Sequence, residues 1–158
     1  MKILSIYHDS VCDGEGVRTV IFFAGCPHHC EGCHNPESWK MSNGNDFTVE
    51  DVLKECLENP LSNVTFSGGD PFLQAKQIIP LAKELKKVNK TIWAYTGWTY
   101  EELIKDEYRR ELLTFVDVLV DGKFVLENRD PKLKFRGSPN QRILKLKDGE
   151  VVEDVSFK

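Results

Sequence analysis

The sequence predicts an α/β fold in which strands alternate with helices, in the form of an open or partial β/α barrel with a mostly parallel sheet. Two observations support this fold class. Four runs rich in β-branched and aromatic residues, typical of buried strands, are separated by stretches with the spacing of amphipathic helices. Such alternation is typical of right-handed βαβ units, and four strands are too few to close an eight-stranded barrel.

Each predicted element has a local signal. Thr48 is placed to cap a first helix with Asp51 three residues later, and Thr99 is placed in the same way before Glu102. A middle helix follows the turn at residues 68–71, although Pro80 favours a kink or a break in it. The four predicted strands span residues 17–23, 63–67, 91–95 and 116–120.

Length and composition are those of an ordinary globular chain. The 158 residues predict a single domain over residues 1–158, with 41% hydrophobic and 29% charged residues and no sign of disorder. The formal net charge is -4, whereas nucleic acids and anionic membranes favour basic proteins. Neither a signal peptide nor a membrane-spanning apolar run is evident. We therefore expect a cytoplasmic protein that binds neither nucleic acid nor membrane.

Three cysteines in one short loop are the most informative feature of the sequence. Cys26, Cys30 and Cys33 lie within eight residues, directly after the first predicted strand. A structural zinc site needs four protein ligands, whereas a four-iron cluster held by three thiolates leaves one iron open to a substrate or cofactor. The alternative is a zinc knuckle whose fourth ligand is a histidine of the same loop, and the candidates are His28, His29 and His34.

Two further cysteines lie outside this loop. Cys56 shares a helical stripe with apolar residues, which predicts a small buried side chain without a ligand role. Cys12 lies in a glycine-bearing loop, where it is either an incidental thiol, the favoured interpretation, or a neighbour of the cluster.

The spacing Cys-x3-Cys-x2-Cys after a strand resembles the signature of the radical S-adenosylmethionine enzymes. The resemblance implies that Cys26, Cys30 and Cys33 bind a 4Fe-4S cluster, and that S-adenosyl-L-methionine is the second cofactor. In that family the reduced cluster cleaves S-adenosylmethionine, and the resulting radical removes a hydrogen atom from the substrate. The cluster and cofactor carry this chemistry, so the resemblance implies no catalytic acid or base among the side chains.

The same resemblance implies cofactor-binding residues in two turns. The segment Gly32-Cys33-His34 resembles one whose backbone meets the adenine. The turn Gly68-Gly69-Asp70 resembles a Gly-Gly-Glu turn that meets the methionine amino group, with a shorter carboxylate here. From the residues alone, the turn is equally explained by Asp70 as a helix N-cap with Pro71 at the first helical position.

A third strand end supplies two more candidates. Asp121 and Lys123 resemble an Asp-x-Lys pair of the small glycyl-radical activases, where the lysine would pair with a cofactor carboxylate. A solvated loop pair is the alternative. Arg18 matches the opening motif of the same group without an implied role, and its alternative is a surface arginine.

Four separated blocks narrow the resemblance to activases of anaerobic ribonucleoside-triphosphate reductases. This implies that the chain generates a glycyl radical on the large subunit of such a reductase, using an electron donor such as flavodoxin. Activation of another glycyl-radical enzyme, such as pyruvate formate-lyase, remains an alternative. The blocks span residues 35–39, 95–98, 118–124 and 135–142.

The C-terminal segment, about 132–158, is expected to pack on the domain. Asp148-Gly149 predicts a hairpin turn between strands at 143–146 and 151–152. The basic residues of this segment form either a solvated strand face or a positive surface that docks an acidic partner. They are Lys132, Lys134, Arg136, Arg142, Lys145 and Lys147.

Overall fold

A computed structural model describes residues 1–156, and the chain forms one eight-stranded sheet with helices packed on it. The strands are β1 (Lys2–Ser10), β2 (Arg18–Phe23), β3 (Asn45–Asp46), β4 (Asn63–Gly68), β5 (Ile92–Tyr95), β6 (Val118–Asp121), β7 (Arg142–Lys147) and β8 (Glu150–Asp154). Their order in the sheet is β3-β1-β2-β4-β5-β6-β7-β8.

The expected mostly parallel β/α barrel is wrong. Only three of the seven neighbouring strand pairs are parallel, namely β2 with β4, β4 with β5 and β5 with β6. Antiparallel strands flank this parallel part on both sides, with β1 beside β2 and β7 beside β6. Because antiparallel neighbours occupy both edges of the parallel strands, the fold is a mixed open sheet.

The four predicted parallel strands are all present and lie next to one another in chain order. Their side chains alternate between the two faces of the sheet. Ile21, Phe66 and Ala94 belong to the large core beneath the helices, whereas Trp93 and Val120 belong to a smaller cluster on the other face. Right-handed crossovers between successive strands place the helices on one face, which leaves the other face for loops.

Two of the four α-helices begin at the predicted capping residues, Thr48 and Thr99. The four helices are α1 (Val49–Leu57), α2 (Ala75–Lys87), α3 (Tyr100–Leu103) and α4 (Glu107–Leu113). The capping boxes of Thr48 with Asp51 and of Thr99 with Glu102 are both formed. Helix α2 continues through Pro80, which lies on its exposed side, where a carbonyl without a helical partner is open to water. Within residues 1–156, no helix combines the length and apolar character needed to cross a membrane.

The predicted C-terminal hairpin is present. Strands β7 and β8 are joined through Asp148 and Gly149, whose φ angles of 53° and 83° are those of a type I′ turn. Leu144 and Leu146 are buried beneath the exposed β7 lysines, which accounts for the alternation in the sequence. Residues 157 and 158 of the expected segment lie outside the described residues.

Candidate functional site

A cavity of about 490 Å³ opens at the carboxyl ends of β2, β4 and β5. Phe22 and Tyr95 line it from the sheet face that the helices leave free. Ligands of parallel sheets collect at this end of the strands. The cavity brings together six of the ten predicted site residues, which are Cys26, Cys30, Cys33, His34, Gly68 and Gly69.

The three loop thiols are free and partly buried around this cavity. Burial raises the pKa of the Cys26 thiol, while the backbone N–H groups of His28 and His29 act in the opposite direction by favouring the thiolate. The backbone N–H of Asn35 donates to Cys33 Sγ over 3.5 Å. Partly buried sulfurs with nearby N–H donors form a suitable ligand set for an iron-sulfur cluster.

The three thiols are not gathered at the distances of a single zinc site. A tetrahedral zinc with Zn–S bonds near 2.3 Å holds its sulfur ligands about 3.8 Å apart. Within residues 1–156, the one group of three or more His, Cys, Asp or Glu ligand atoms within 4.8 Å of one another is His8 with Glu55 and Glu58. At least one pair of the loop sulfurs is therefore separated by more than 4.8 Å in this structure.

Each histidine proposed as a fourth zinc ligand has another partner. The ring of His28 bonds to Asp70 over 2.8 Å. The ring of His29 stacks on Trp39 with centroids 4.5 Å apart and planes at 12°. His34 lies at the cavity, with its ring 5.6 Å from that of Phe124. These contacts also count against the interpretation of the loop as a zinc knuckle with a histidine ligand.

The two glycines at the end of β4 allow its turn to pack directly on the start of the Cys loop. Gly68 has a φ of 106°, and a Cβ there would overlap the backbone of Phe23. A Cβ on Gly69 would overlap the carbonyl of Gly25, the residue before Cys26. Because the Gly69 N–H already donates to Phe23 O over 2.8 Å, its carbonyl oxygen is the backbone group that this turn can offer a ligand.

Asp70 is fully buried and does not line the cavity. Its carboxylate accepts the Phe72 N–H over 3.0 Å and so caps the 3-10 turn Pro71–Gln74. The same carboxylate contacts His28 and the residues after β5. Of the two interpretations of this turn, the contacts of Asp70 therefore agree with the helix cap.

Asp121, Lys123 and Gly32 also lie off the cavity wall. Asp121 is 1% exposed, accepts the Tyr100 N–H over 2.7 Å and is bonded by the guanidinium of Arg142. Lys123 is exposed, and the cavity is lined instead by Gly122. Gly32 has a φ of 74° and makes a turn in which a Cβ would overlap Leu126.

An aromatic part of the wall was not predicted. Tyr95, Phe124 and Phe135 line the cavity. Burial raises the pKa of Tyr95 far above its ordinary range, so its hydroxyl stays protonated. Strand alternation would have indicated Tyr95, because its neighbour Ala94 points into the core beneath the helices. The two phenylalanines lie in irregular loops, for which the sequence has no comparable signal.

Two residues of undecided role are also located. Cys12 lines the cavity, with its Sγ 3.6 Å from Asp13 Oδ2, so it lies beside the predicted cluster site and not at a remote position. Arg18 is 2% exposed and is therefore not a surface arginine.

Comparisons with known proteins agree with the three-thiol loop. Residues 12–144 match the model of a family described as a 4Fe-4S single cluster domain. The chain is 39% identical to the anaerobic ribonucleoside-triphosphate reductase-activating protein of Haemophilus influenzae, covering 93% of this chain and 99% of that protein. It is 38% identical to the Vibrio cholerae protein of the same name (90% and 97% covered) and 35% identical to that of Enterobacteria phage T4 (91% and 94%). The chain belongs to the family of anaerobic ribonucleoside-triphosphate reductase-activating proteins.

Proposed function

We propose that this chain activates an anaerobic ribonucleoside-triphosphate reductase by generating a glycyl radical on its large subunit. The observation that carries the proposal is the set of three free thiols around one cavity, in a chain whose residues 12–144 match a 4Fe-4S single cluster domain. The choice of target is supported by the names of relatives 35% to 39% identical over most of their length. The alternative of a zinc module has no such support.

The cysteines would hold a 4Fe-4S cluster, and the rest of the wall would hold S-adenosylmethionine against it. When bound, these groups supply the electron and the radical chemistry of an oxidoreductase of the radical S-adenosylmethionine class. Cys26, Cys30 and Cys33 provide three thiolates and leave one iron open to the cofactor. Gly69 lines the cavity, and its carbonyl would accept a hydrogen bond from the cofactor's amino group.

The aromatic wall would exclude water and stack on the adenine. Tyr95 and Phe135 line the cavity, and the neighbouring rings of His34 and Phe124 offer π faces for stacking. Excluding water protects a radical from side reactions. The electron would come from a small protein donor such as flavodoxin.

Anaerobic cluster assembly on single-cysteine variants tests the proposal. Cys26→Ala, Cys30→Ala and Cys33→Ala should each lose the cluster absorbance and abolish S-adenosylmethionine cleavage, because three thiolates are the minimum ligand set. Cys56→Ala is the matched control: burial raises the pKa of that thiol to about 12, so it offers no thiolate near neutral pH. Cys12→Ala should also retain iron.

Electron paramagnetic resonance identifies the target. A glycyl radical signal is expected after mixing the reduced holoprotein and S-adenosylmethionine with the large reductase subunit, and not with pyruvate formate-lyase. Full cluster assembly in Cys30→Ala, or a signal on pyruvate formate-lyase alone, would contradict the proposal.

A further inference from the structure

His28 lies in the middle of the Cys loop, and its ring is held by a buried carboxylate. The His28 side chain is 5% exposed, and its Nε2 lies 2.8 Å from Oδ2 of the fully buried Asp70. His28 lies between Cys26 and Cys30, whereas Asp70 follows the glycine turn after β4. The pair therefore joins the loop that carries the thiols to the turn beside it.

The Asp70 carboxylate is bonded to four partners within the protein. Its Oδ1 accepts the Phe72 N–H over 3.0 Å, and its Oδ2 accepts the Thr96 hydroxyl over 2.8 Å and the Gly97 N–H over 2.9 Å. Because these partners donate, Asp70 is an acceptor and the His28 Nε2–H donates to the same Oδ2. The carboxylate is also fully buried, so an external ligand does not reach it in this structure.

The ring of His28 is also fixed by packing. A Cβ on Gly97 would overlap the imidazole, so the ring fits only against a glycine. The indole of Trp98 meets the imidazole edge to face, with centroids 4.6 Å apart and planes at 79°. The guanidinium of Arg109 also contacts this indole, at 4.0 Å from the ring centre. The segment after β5 thereby holds the ring in one orientation.

The rest of the Cys loop has little regular structure to hold it. Its start is tied by the Gly25 N–H to Ser38 O over 2.7 Å and by the Cys26 N–H to Trp39 O over 3.2 Å. Its middle turns through His29, which has a φ of 48°. His28 therefore provides the buried anchor of the segment between the first two thiols, beside the exposed His29, which stacks on Trp39.

We propose that His28 and Asp70 are positioning residues that fix the Cys26–Cys30 segment in its ligand geometry, and that Asp70 serves this loop and not the S-adenosylmethionine amino group. The inference rests on the proposed function, since it assigns these residues to the cluster site. With only three thiolate ligands, displacement of one loosens the whole centre. Residues behind metal ligands typically change metal retention 10- to 100-fold when removed.

Iron retention by the assembled holoprotein tests the proposal. His28→Ala should release iron to a chelator roughly tenfold faster than the wild type. Its cluster should also have an altered midpoint potential, because the N–H groups near the sulfurs move with the loop. His28→Gln, which keeps a side-chain N–H donor, should recover most of the retention. Asp70→Ala should resemble His28→Ala, and the double variant should be no worse than either single one.

Two further variants separate positioning from general damage to the fold. Gly97→Ala leaves both partners intact but crowds the imidazole, so it should release iron as His28→Ala does. His8→Ala removes an exposed histidine outside the Cys loop and should retain iron. Unfolding curves recorded with the cluster-free proteins show whether each variant folds.

Two results would overturn the inference. One is equal iron release and midpoint potential in His28→Ala and the wild type. The other is an Asp70→Ala protein that keeps its iron but binds S-adenosylmethionine weakly in calorimetry, which would make Asp70 a cofactor contact. Failure of the wild type to assemble a four-iron cluster would instead refute the proposed function itself.

Discussion

The two ends of the parallel strands both contain buried charges, but of opposite sign and with different surroundings. At the amino ends, the cations Arg18 and Lys90 are buried. At the carboxyl ends, the carboxylates Asp70 and Asp121 are buried. The cations donate to backbone carbonyls. The carboxylates accept from N–H groups, and the partners of Asp70, unlike those of Asp121, include residues that line the cavity.

The amino-end network is closed within the protein. Arg18 donates to Glu15 O over 2.7 Å and to Val64 O and Thr91 O over 3.0 Å each. Burial lowers the pKa of Arg18 to about 10, which still leaves it charged near neutral pH. Lys90 donates to Ser62 O over 2.5 Å in the loop before β4. This end ties strand starts together and exposes none of these groups to the cavity.

The carboxyl-end network instead includes residues of the cavity wall. Asp70 bonds to His28 and Gly97, both of which line the cavity. Burial and charge alone therefore do not identify a functional residue in this sheet. Asp70 differs from the other three buried charges because its partners belong to the loops that surround the site.

The largest effect is expected at the amino ends. Arg18→Leu leaves several buried carbonyls without a donor, so it should lower the free energy of unfolding by about 3 kcal/mol or more. Urea unfolding measures the change. Arg110→Ala, which removes an exposed arginine from α4, is the control and should change stability by less than about 0.5 kcal/mol. An unchanged unfolding midpoint in Arg18→Leu would show that the hydrogen bonds of Arg18 do not contribute to the free energy of unfolding.

A large effect on the cluster is expected at Gly69. If Gly69 only contacted the cofactor, Gly69→Val would weaken S-adenosylmethionine binding and spare the iron. The contact between Gly69 and Gly25 changes this expectation, because a side chain would push on the residue before Cys26. Iron retention should fall roughly tenfold along with cofactor binding. Gly16→Asn, at a position with open space, is the control. If iron analysis finds a full cluster in Gly69→Val, the added side chain affects only the binding of S-adenosylmethionine.

A moderate effect on stability is expected at Asp121. Asp121→Asn removes the charge that pairs with Arg142 and keeps the shape, so the protein should lose about 1–3 kcal/mol. Because Asp121 faces Tyr100 and Arg142 and not the cavity, the dissociation constant for S-adenosylmethionine should not change. Glu101→Gln removes the exposed partner of the same arginine and should cost less than about 1 kcal/mol. Tenfold weaker cofactor binding at unchanged stability would instead assign Asp121 to the cofactor.

Local signals in the sequence predicted the parts of the fold that depend on neighbouring residues. The four parallel strands and the caps at Thr48 and Thr99 are of this kind. Strand β1 was missed because exposed residues such as Tyr7 and His8 break its alternation, and its pairing with β2 is not local. The pairing of β6 with β7 is likewise between strands distant in sequence. These two antiparallel pairs make the sheet mixed, so the barrel expectation failed where pairing is not local.

The candidate site divides in the same way. The three thiols were predicted because their spacing lies within one loop. The contact between His28 and Asp70 joins residues 42 positions apart, so no sequence pattern indicates it. For Asp70, the sequence left capping and cofactor binding open, and only its burial and its partners distinguish them.

The basic C-terminal segment divides into residues paired or bonded within the protein and two exposed lysines next to Leu133 of the cavity wall. Arg136 donates to Gln141 O over 2.7 Å, and Arg142 pairs with Asp121. Lys145 and Lys147 lie opposite acidic residues of β8, at positions 153 and 150 of the hairpin. The expectation of one positive surface over all six residues therefore narrows to Lys132 and Lys134.

The smallest effect is expected at these two exposed lysines, which flank a leucine of the cavity wall at position 133. If an acidic surface of the reductase docks over the cavity, Lys132→Glu with Lys134→Glu should slow radical formation a few-fold at low salt, and added salt should remove the difference. Cleavage of S-adenosylmethionine without the partner should be unchanged. Reversing Lys145 and Lys147 places like charges opposite β8 and should cost about 0.2–1 kcal/mol of stability per pair without slowing activation. Equal slowing by both double variants would show that the net charge of the protein, and not the position of the two lysines beside the cavity, governs docking.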